Sequence, residues 1–381
     1  MAYDVTFIHT SDLQLGMTYW FLEGEAQHRF AQDRLEAIAR LGELARETGA
    51  AFIVVAGDVF EHNSLTRQTL GRAKEAFERL PVPVYLLPGN HDPLVADSSL
   101  ARVDGGNVHV LKDTQPCAVD PGVELLGAPY LTKRATEDIV AAALAPLEST
   151  PAIRILVAHG QVSSRASEPA PDLIDLPTVE NAVRSGAVDY VALGDTHSTA
   201  SLGGTGAVWF SGSPETTDFH ELDGDKGENA SGNALVVRVR KDGAAQASVE
   251  VEEHSVGRWI FDAVSAYLAD EADVQDFLAR LAAYPDKSRT VIKYGLRGTV
   301  TLAAQRALED GLAAWQDTFA ALYERERTMD LVLEPQPSEL EQLGLTGYAR
   351  AALEELVDGL ASDPVDRDAA NLLFRLSGQG A

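Results

Sequence analysis

Apolar and polar positions along the first two hundred residues fall into two kinds of block. Short apolar runs rich in β-branched residues read as strands: DVTFIHT (4–10), AFIVVAGD (51–58), VPVYLLP (82–88), ELLGAPY (124–130), IRILVAHG (153–160) and DYVALGD (189–195). Between the first two, Phe30, Leu35, Ile38, Leu41, Leu44 and Ala45 recur at spacings of three and four, which predicts a helix over 26–48. A second helix is predicted around 66–80. Strands alternating with helices predict an α/β sheet. The pattern then changes. AVWFSG (207–212) and NALVVRVR (233–240) follow with no helix between them, so a second, more antiparallel sheet packed on the first is expected.

Further on, ELDGDKGENASG (221–232) is acidic and glycine-rich and predicts a surface loop or hairpin end. SVEVEEHSV and RWIFDAV predict a strand pair and 271–284 a helix. RTVIKYGLRGTVTL (289–302) predicts a strand, followed by a long helix carrying Ala303, Ala307, Leu312, Trp315 and Phe319. ALYERERTMDLVLEP predicts one closing strand. A proline-rich linker, LEPQPSE, precedes two amphipathic helices in TGYARAALEELVDGL and DRDAANLLFRLSG. With 381 residues more than one core is expected, and the breaks divide the chain into 1–255, 256–335 and 336–381.

The polar residues fall in a pattern of their own. Asp12 follows the first strand and Asp58 ends the second. Asn90, His91 and Asp92 follow the third in GNHDP (89–93), His159 ends the IRILVA run, and Asp195 and His197 follow YVAL. Asp12 or Asp58 alone is more often a turn cap than a ligand. Five strands that each deliver such chemistry to the carboxyl edge, where open α/β sheets bind ligands, call for another reading. The oxygens and nitrogens of Asp, Asn and His suit Mn²⁺, Fe²⁺, Zn²⁺ or Mg²⁺, and the set is large enough for two ions sharing a carboxylate. Asn90 can ligate through its carbonyl oxygen, His91 can reach a leaving group, and Asp92 can hold the His91 ring in one orientation.

Composition narrows this picture. The chain is 45% hydrophobic and 23% charged, as expected of a soluble globular protein, with no signal-peptide pattern. No apolar run approaches the ~20 residues of a membrane span. Its single cysteine, Cys117, excludes an internal disulfide and a thiolate metal site; a buried, non-catalytic thiol and a reducing, cytoplasmic compartment are expected. The net charge of −27 argues against a nucleic-acid partner on average. Against it stands a basic cluster, Lys287, Arg289, Lys293, Arg297, Arg325 and Arg327, which reads equally as a solvated strand face or as a contact to the DNA backbone. Tyr19, Trp20 and Phe21 read as loop packing, with base stacking as the alternative.

In the order SDLQ, GD, GNHD, AHG, GDTH the chain resembles the calcineurin-like metallophosphoesterases, whose usual signature is DxH, GD, GNHD/E, H, GHxH. HTSDLQLG, GDVFEHN and GNHDP resemble most the DNA-repair exonuclease branch, the SbcD-like and YhaO-like members. The resemblance implies a four-layer α/β/β/α sandwich with a small α+β capping domain and C-terminal helices. It implies two divalent ions, Mn²⁺ foremost with Mg²⁺ or Fe²⁺ as alternatives. Asp12, Gln14, Asp58 and His197 would surround one ion; Asp58 would bridge to the second, held also by Asn90, His159 and Asp195. His91 would serve the leaving oxygen, and the reaction would be hydrolysis of DNA by a water that the metals activate. DNA, an SMC-like ABC ATPase docked by the C-terminal helices, and a second copy in a homodimer would be the partners.

Two positions depart from the signature: Gln14 stands where DxH has histidine, and Asp195 where GHxH has its first histidine. A small-molecule phosphoesterase, for instance of cyclic nucleotides, and a non-catalytic DNA- or ATPase-binding subunit with a decayed metal site remain the alternatives.

Overall fold

A computed structural model describes residues 2–166, 168, 170–222, 227–243, 246–334, 347–359 and 369. The first stretch runs β1 (Ala2–Thr10), α1 (Gly24–Thr48), β2 (Ile53–Val55), α2 (Arg67–Glu78), β3 (Val84–Leu86), α3 (Leu100–Val103) and β4 (Val108–Val110). It continues with β5 (Cys117–Asp120), β6 (Val123–Ala128), α4 (Ile139–Leu144), β7 (Ile153–His159), α5 (Leu176–Arg184), β8 (Tyr190–Gly194), β9 (Ala200–Ser201) and β10 (Val208–Phe210). Then come β11 (His220–Glu221), β12 (Asn233–Asp242), β13 (Ser248–Ser255), β14 (Ile260–Leu268), α6 (Glu271–Ala282), β15 (Thr290–Val300), α7 (Leu302–Gln316), β16 (Ala321–Glu324), β17 (Asp330–Leu333) and α8 (Tyr348–Gly359).

Two compact units result. One comprises residues 1–219 and 227–259, the other 220–226 and 260–381. The first unit continues past residue 255 because Trp259 belongs to it: the indole packs edge-on to Phe30 and its Nε1–H donates to Asp33 at 3.0 Å.

Two six-stranded sheets form the first unit, ordered β13-β12-β1-β2-β3-β4 and β5-β6-β7-β8-β10-β9. Period-2 alternation assigns each strand two faces. Phe7, Val54, Tyr85 and Val237 of one sheet meet Leu125, Ile155, Val157 and Tyr190 of the other in a shared core. Ile8, Ile53, Val55 and Leu86 face away onto Ile38, Leu41 and Phe77 of α1 and α2. Leu156, Val191 and Leu193 face away onto Val140, Val179 and Val183 of α4 and α5. The layers are therefore α/β/β/α. Both helical layers start on local signals: Thr66 caps α2 by accepting from the Thr69 N–H, and Asp175 caps α5 by accepting from Thr178.

The sheets are not divided as the alternation suggests. β1–β4 are parallel, and so are β6, β7, β8 and β10; antiparallel pairing is confined to the flanks of each sheet. NALVVRVR does not build a second antiparallel sheet: as β12 it lies antiparallel to β1 in the first one, with Phe7 opposite Val237. Its outward arginines have a partner there, since Asp4 takes Arg238 at 2.7 Å and Arg240 at 3.3 Å. SVEVEEHSV and RWIFDAV do not pair either. The first becomes β13 beside β12, and the second opens β14 of the other unit. Cys117 is exposed, not buried, because it begins β5, an edge strand.

In the second unit β14 lies parallel to β15, and β11, from the predicted surface loop, adds to β14. ALYERERTMDLVLEP is two strands rather than one. β16 and β17, separated by a 3₁₀ turn at Glu326–Thr328, pair with different halves of β15. α6 and α7 cover this sheet through Phe277, Leu281, Ala304 and Leu308. The first predicted C-terminal helix is α8; the second lies outside the described residues. No helix among the described residues is long and apolar enough to cross a membrane.

Candidate metal centre

The five polar motifs meet at the carboxyl ends of β1, β2, β3, β7 and β8, as the edge of an open parallel sheet dictates. The loop after β1 is laced to the loop after β2 by three main-chain bonds: Asp12 N–H to Gly57 O, Gln14 N–H to Asp58 O and Leu15 N–H to Val59 O, all 2.9–3.0 Å. Among the described residues the only non-glycine positions with positive φ are Asp12 (53°), Gln14 (41°), Asp58 (50°) and Asp195 (101°). Each is a candidate ligand, and such backbone persists only where the surroundings impose it. Two motif glycines are required by close approach. A Cβ at Gly57 would lie 2.2 Å from His159 Nδ1, and one at Gly89 would lie 2.1 Å from Asp58 Oδ1.

Asp12, Asp58 and His159, all buried, each bring a ligand atom within 4.8 Å of the others. The His159 tautomer follows from its neighbours. Nδ1 is 2.8 Å from the Ala56 carbonyl, which can only accept, so Nδ1 carries the proton and Nε2 presents a lone pair. That lone pair faces Asn90 Oδ1 at 2.9 Å, Asp58 Oδ2 at 3.3 Å and Asp195 Oδ1 at 3.8 Å. Four acceptors this close call for a positive charge among them, whether a metal ion or a proton on Nε2. Burial opposes a proton on His159, yet Asp58, Asp12 and Asp195 carry its pKa well above the ordinary histidine value.

A second group adjoins the first. His197 Nε2 lies 3.7 Å from Asp12 Oδ1 and 3.3 Å from Gln14 Nε2. Asp12 Oδ1 and the Gln14 amide oxygen are both buried without a hydrogen-bond partner, a costly state for a polar atom unless a ligand fills it. Burial first, and the nearby Asp58 charge, raise the Asp12 pKa. The donors present suit divalent cations: Asp12, Gln14, Asp58 and His197 would hold one, and Asp58, Asn90, His159 and Asp195 would hold a second. Gln14 offers an amide oxygen where an imidazole would bind a transition metal more tightly. Gln14→His is expected to tighten one of two Mn²⁺ sites by about tenfold or more and leave the other unchanged, read by titration calorimetry. Coincident isotherms would remove Gln14 from the centre.

His91 stands at the rim with its side chain 37% exposed. Its main-chain N–H donates to Asp58 Oδ1 at 3.0 Å, while its ring Nε2 is 4.0 Å from Asp58 Oδ2. The ring is not held by Asp92. That carboxylate is fully buried and accepts from the Phe60 and Gly89 N–H groups at 2.9 and 2.8 Å, tying the GD loop to the GNHD loop. Burial, and then the Asp58 charge, push Asp92 up to about 7. Glu61 takes the ring instead: Nδ1 is 3.1 Å from its carbonyl oxygen and 3.6 Å from its carboxylate. That contact, opposed by burial and helped by Asp58, raises the His91 pKa to about 9.

Sequence reasoning missed other supports. Arg34, buried within α1, donates to the carbonyls of Leu13 (3.0 Å), Thr216 (3.3 Å) and Asp12 (3.4 Å), bracing the first motif loop. His9, in HTSD, sits behind the centre: its Nε2–H donates to Leu193 O at 3.2 Å and its Nδ1 accepts from Tyr190 O–H at 3.0 Å, linking the two sheets. Nothing local in the sequence marks either role. In the aromatic loop, Tyr19 and Phe21 stack on each other and Tyr19 O–H donates to Thr217 O, whereas Trp20 is 79% exposed.

In the second unit the basic run is largely engaged. Lys287 sits 4.9 Å from the Trp315 ring centre and donates to the Ala282 and Tyr284 carbonyls. Arg289 pairs with Asp286 and Arg325 with Glu221. Arg297 and Arg327 are exposed.

Two relatives and one solved structure can be set beside this chain. It is 33% identical over 96 residues to the DNA double-strand break repair protein Mre11 of Archaeoglobus fulgidus, covering 24% of this chain and 20% of that protein. It is 27% identical over 241 residues to the uncharacterized metallophosphoesterase YhaO of Bacillus subtilis, covering 60% of this chain and 57% of that one. The chain thus spans about a fifth of the first relative and somewhat over half of the second. A dimetal phosphatase from Danio rerio superposes at a TM-score of 0.36 and 10% identity, over 64% of this chain and 98% of that one. The model of the calcineurin-like phosphoesterases matches residues 5–199, more than half of the chain and all of the candidate ligands, and to that family the chain belongs.

Proposed function

We propose that this chain is a divalent-metal-dependent phosphodiesterase that hydrolyses DNA from its ends, working in repair with an SMC-like ABC ATPase. The observation that carries the hydrolytic part is the set of buried, mutually facing acceptors with orphaned oxygens on Asp12 and Gln14. Divalent cations bound there would stabilise charge on the phosphoryl oxygens and acidify water, and Mn²⁺ or Mg²⁺ suits an oxygen-rich set that holds Gln14 and Asp195 in place of imidazoles. Asp58 shares its carboxylate between both groups of ligands. His91, anchored on Glu61 with its ring open to solvent, is placed to give a proton to the leaving oxygen.

The DNA substrate draws support from the repair protein that 96 residues of the chain match, and from Trp20, an exposed aromatic on which a terminal base can stack. α8 supports the partner: Tyr348 is exposed at its start, a surface for a second protein.

A small-molecule phosphodiester is the second reading. The net charge of −27 and the internal pairing of Lys287, Arg289 and Arg325 favour it. The test is one preparation, assayed with Mn²⁺ on end-labelled linear duplex DNA and on a chromogenic phosphodiester. Release of nucleotides from DNA ends supports the proposal. Turnover of the chromogenic ester alone favours the second reading, and a preparation that binds no divalent ion is a non-catalytic subunit.

A further inference from the structure

Glu228, in the acidic run 221–232, does not stay on the surface. Glu228 is 7% exposed, and all of its carboxylate is in use. Oε1 accepts the Thr217 N–H at 2.8 Å. Oε2 accepts the Thr217 hydroxyl and lies 3.3 Å from His197 Nδ1. Thr217 Oγ1 itself touches the same His197 nitrogen.

We infer that Glu228 is the positioning residue that keeps His197 in its metal-binding tautomer. This rests on the two-cation reading of the site. A carboxylate in this place can only accept. By taking the Thr217 proton it leaves the hydroxyl oxygen as an acceptor toward His197. Both groups facing Nδ1 then accept, so Nδ1 must carry the ring proton. Nε2 is left with its lone pair aimed toward Asp12 and Gln14. Without Glu228 the Thr217 hydroxyl is free to turn and donate to Nδ1, which moves the ring proton to Nε2 and blocks ligation. The device matters more here than where an imidazole occupies position 14, because His197 is the one nitrogen ligand of its group.

The experiment uses the full chain as wild type, Glu228→Ala and Glu228→Gln. Mn²⁺ affinities are measured by titration calorimetry, and the metal-free His197 tautomer by ¹⁵N-histidine NMR. Wild type should show Nδ1–H and two Mn²⁺ sites. Glu228→Ala should shift the ring toward Nε2–H and weaken one Mn²⁺ site by about 10–100-fold, the usual cost of losing such a partner. The other site should be unchanged. Glu228→Gln, nearly isosteric, keeps an acceptor but loses the charge and should weaken the same site less. If Glu228→Ala fails to fold, Glu228→Gln alone decides: an unchanged affinity overturns the proposal. Unchanged affinity in both variants overturns it whatever the tautomer. A wild type that binds no Mn²⁺ overturns the two-cation reading as well, whereas two sites indifferent to Glu228 overturn only this inference.

Discussion

Asp58→Asn is expected to weaken both Mn²⁺ sites together and to abolish measurable phosphodiester hydrolysis. Asp58 Oδ2 lies 3.3 Å from His159 Nε2, and the same carboxylate belongs to the buried trio with Asp12. In the proposed assignment its charge is the one that both groups of ligands would share. Neutralising it takes from each cation more than an outer partner would, so each affinity should fall by more than about 100-fold. The fold should survive, since Oδ1 is held by the His91 N–H at 3.0 Å and an asparagine oxygen can accept that bond. Calorimetry with Mn²⁺ is the measurement. Loss of one site with the other intact would assign Asp58 to a single ion.

A different signature is expected of His91→Asn: turnover lower by about 10²–10⁴-fold with both Mn²⁺ affinities nearly unchanged. The reason lies in how His91 is attached. Only its main chain touches a candidate ligand at hydrogen-bonding distance, and that contact persists in the variant. Its ring is turned to Glu61 and to solvent. Glu61→Gln should lower turnover in the same sense and by less, whereas Asp92→Asn should act through the Phe60 and Gly89 bonds, on stability. A His91→Asn protein that turns over DNA or the chromogenic ester as fast as wild type would remove His91 from the reaction.

How much of this could be read in advance differs from one feature to the next. The position of the candidate ligands was legible, because parallel strands buried on both faces read as plain apolar runs and the polar residues stand at their ends. The strained backbone at Asp12, Gln14, Asp58 and Asp195 was not, since no residue there is glycine or asparagine. NALVVRVR shows why pairing is harder to read than strand character. Its alternation predicts one polar face correctly, but its partner is β1, more than two hundred residues away, with Phe7 opposite Val237 and Asp4 beside Arg238 and Arg240. The short strands β4 and β5 and the helices α3, α4 and α5 carry too few periodic positions to stand out. Asp92 was read from its neighbour in sequence, whereas its partners, Phe60 and Gly89, come from two different loops. Glu228 looked like one acid among several in a glycine-rich run; only the fold returns it to His197.

The assignment of residues 220–226 to the second unit bears on how this protein can be taken apart. The chain leaves the first unit after Phe219, returns at Gly227 and leaves again after Trp259. A stop codon after residue 259 would therefore not yield a clean first unit. It would strand β11, whose partner β14 begins at Ile260, as a short unpaired edge beside Glu228 in sequence. Nor can the second unit be grafted elsewhere as a single cassette, for one of its strands would stay behind. Dissection of the two requires two cuts and a bridging turn between Phe219 and Gly227, since any simple truncation after Trp259 keeps His220–Glu221 without its partner strand.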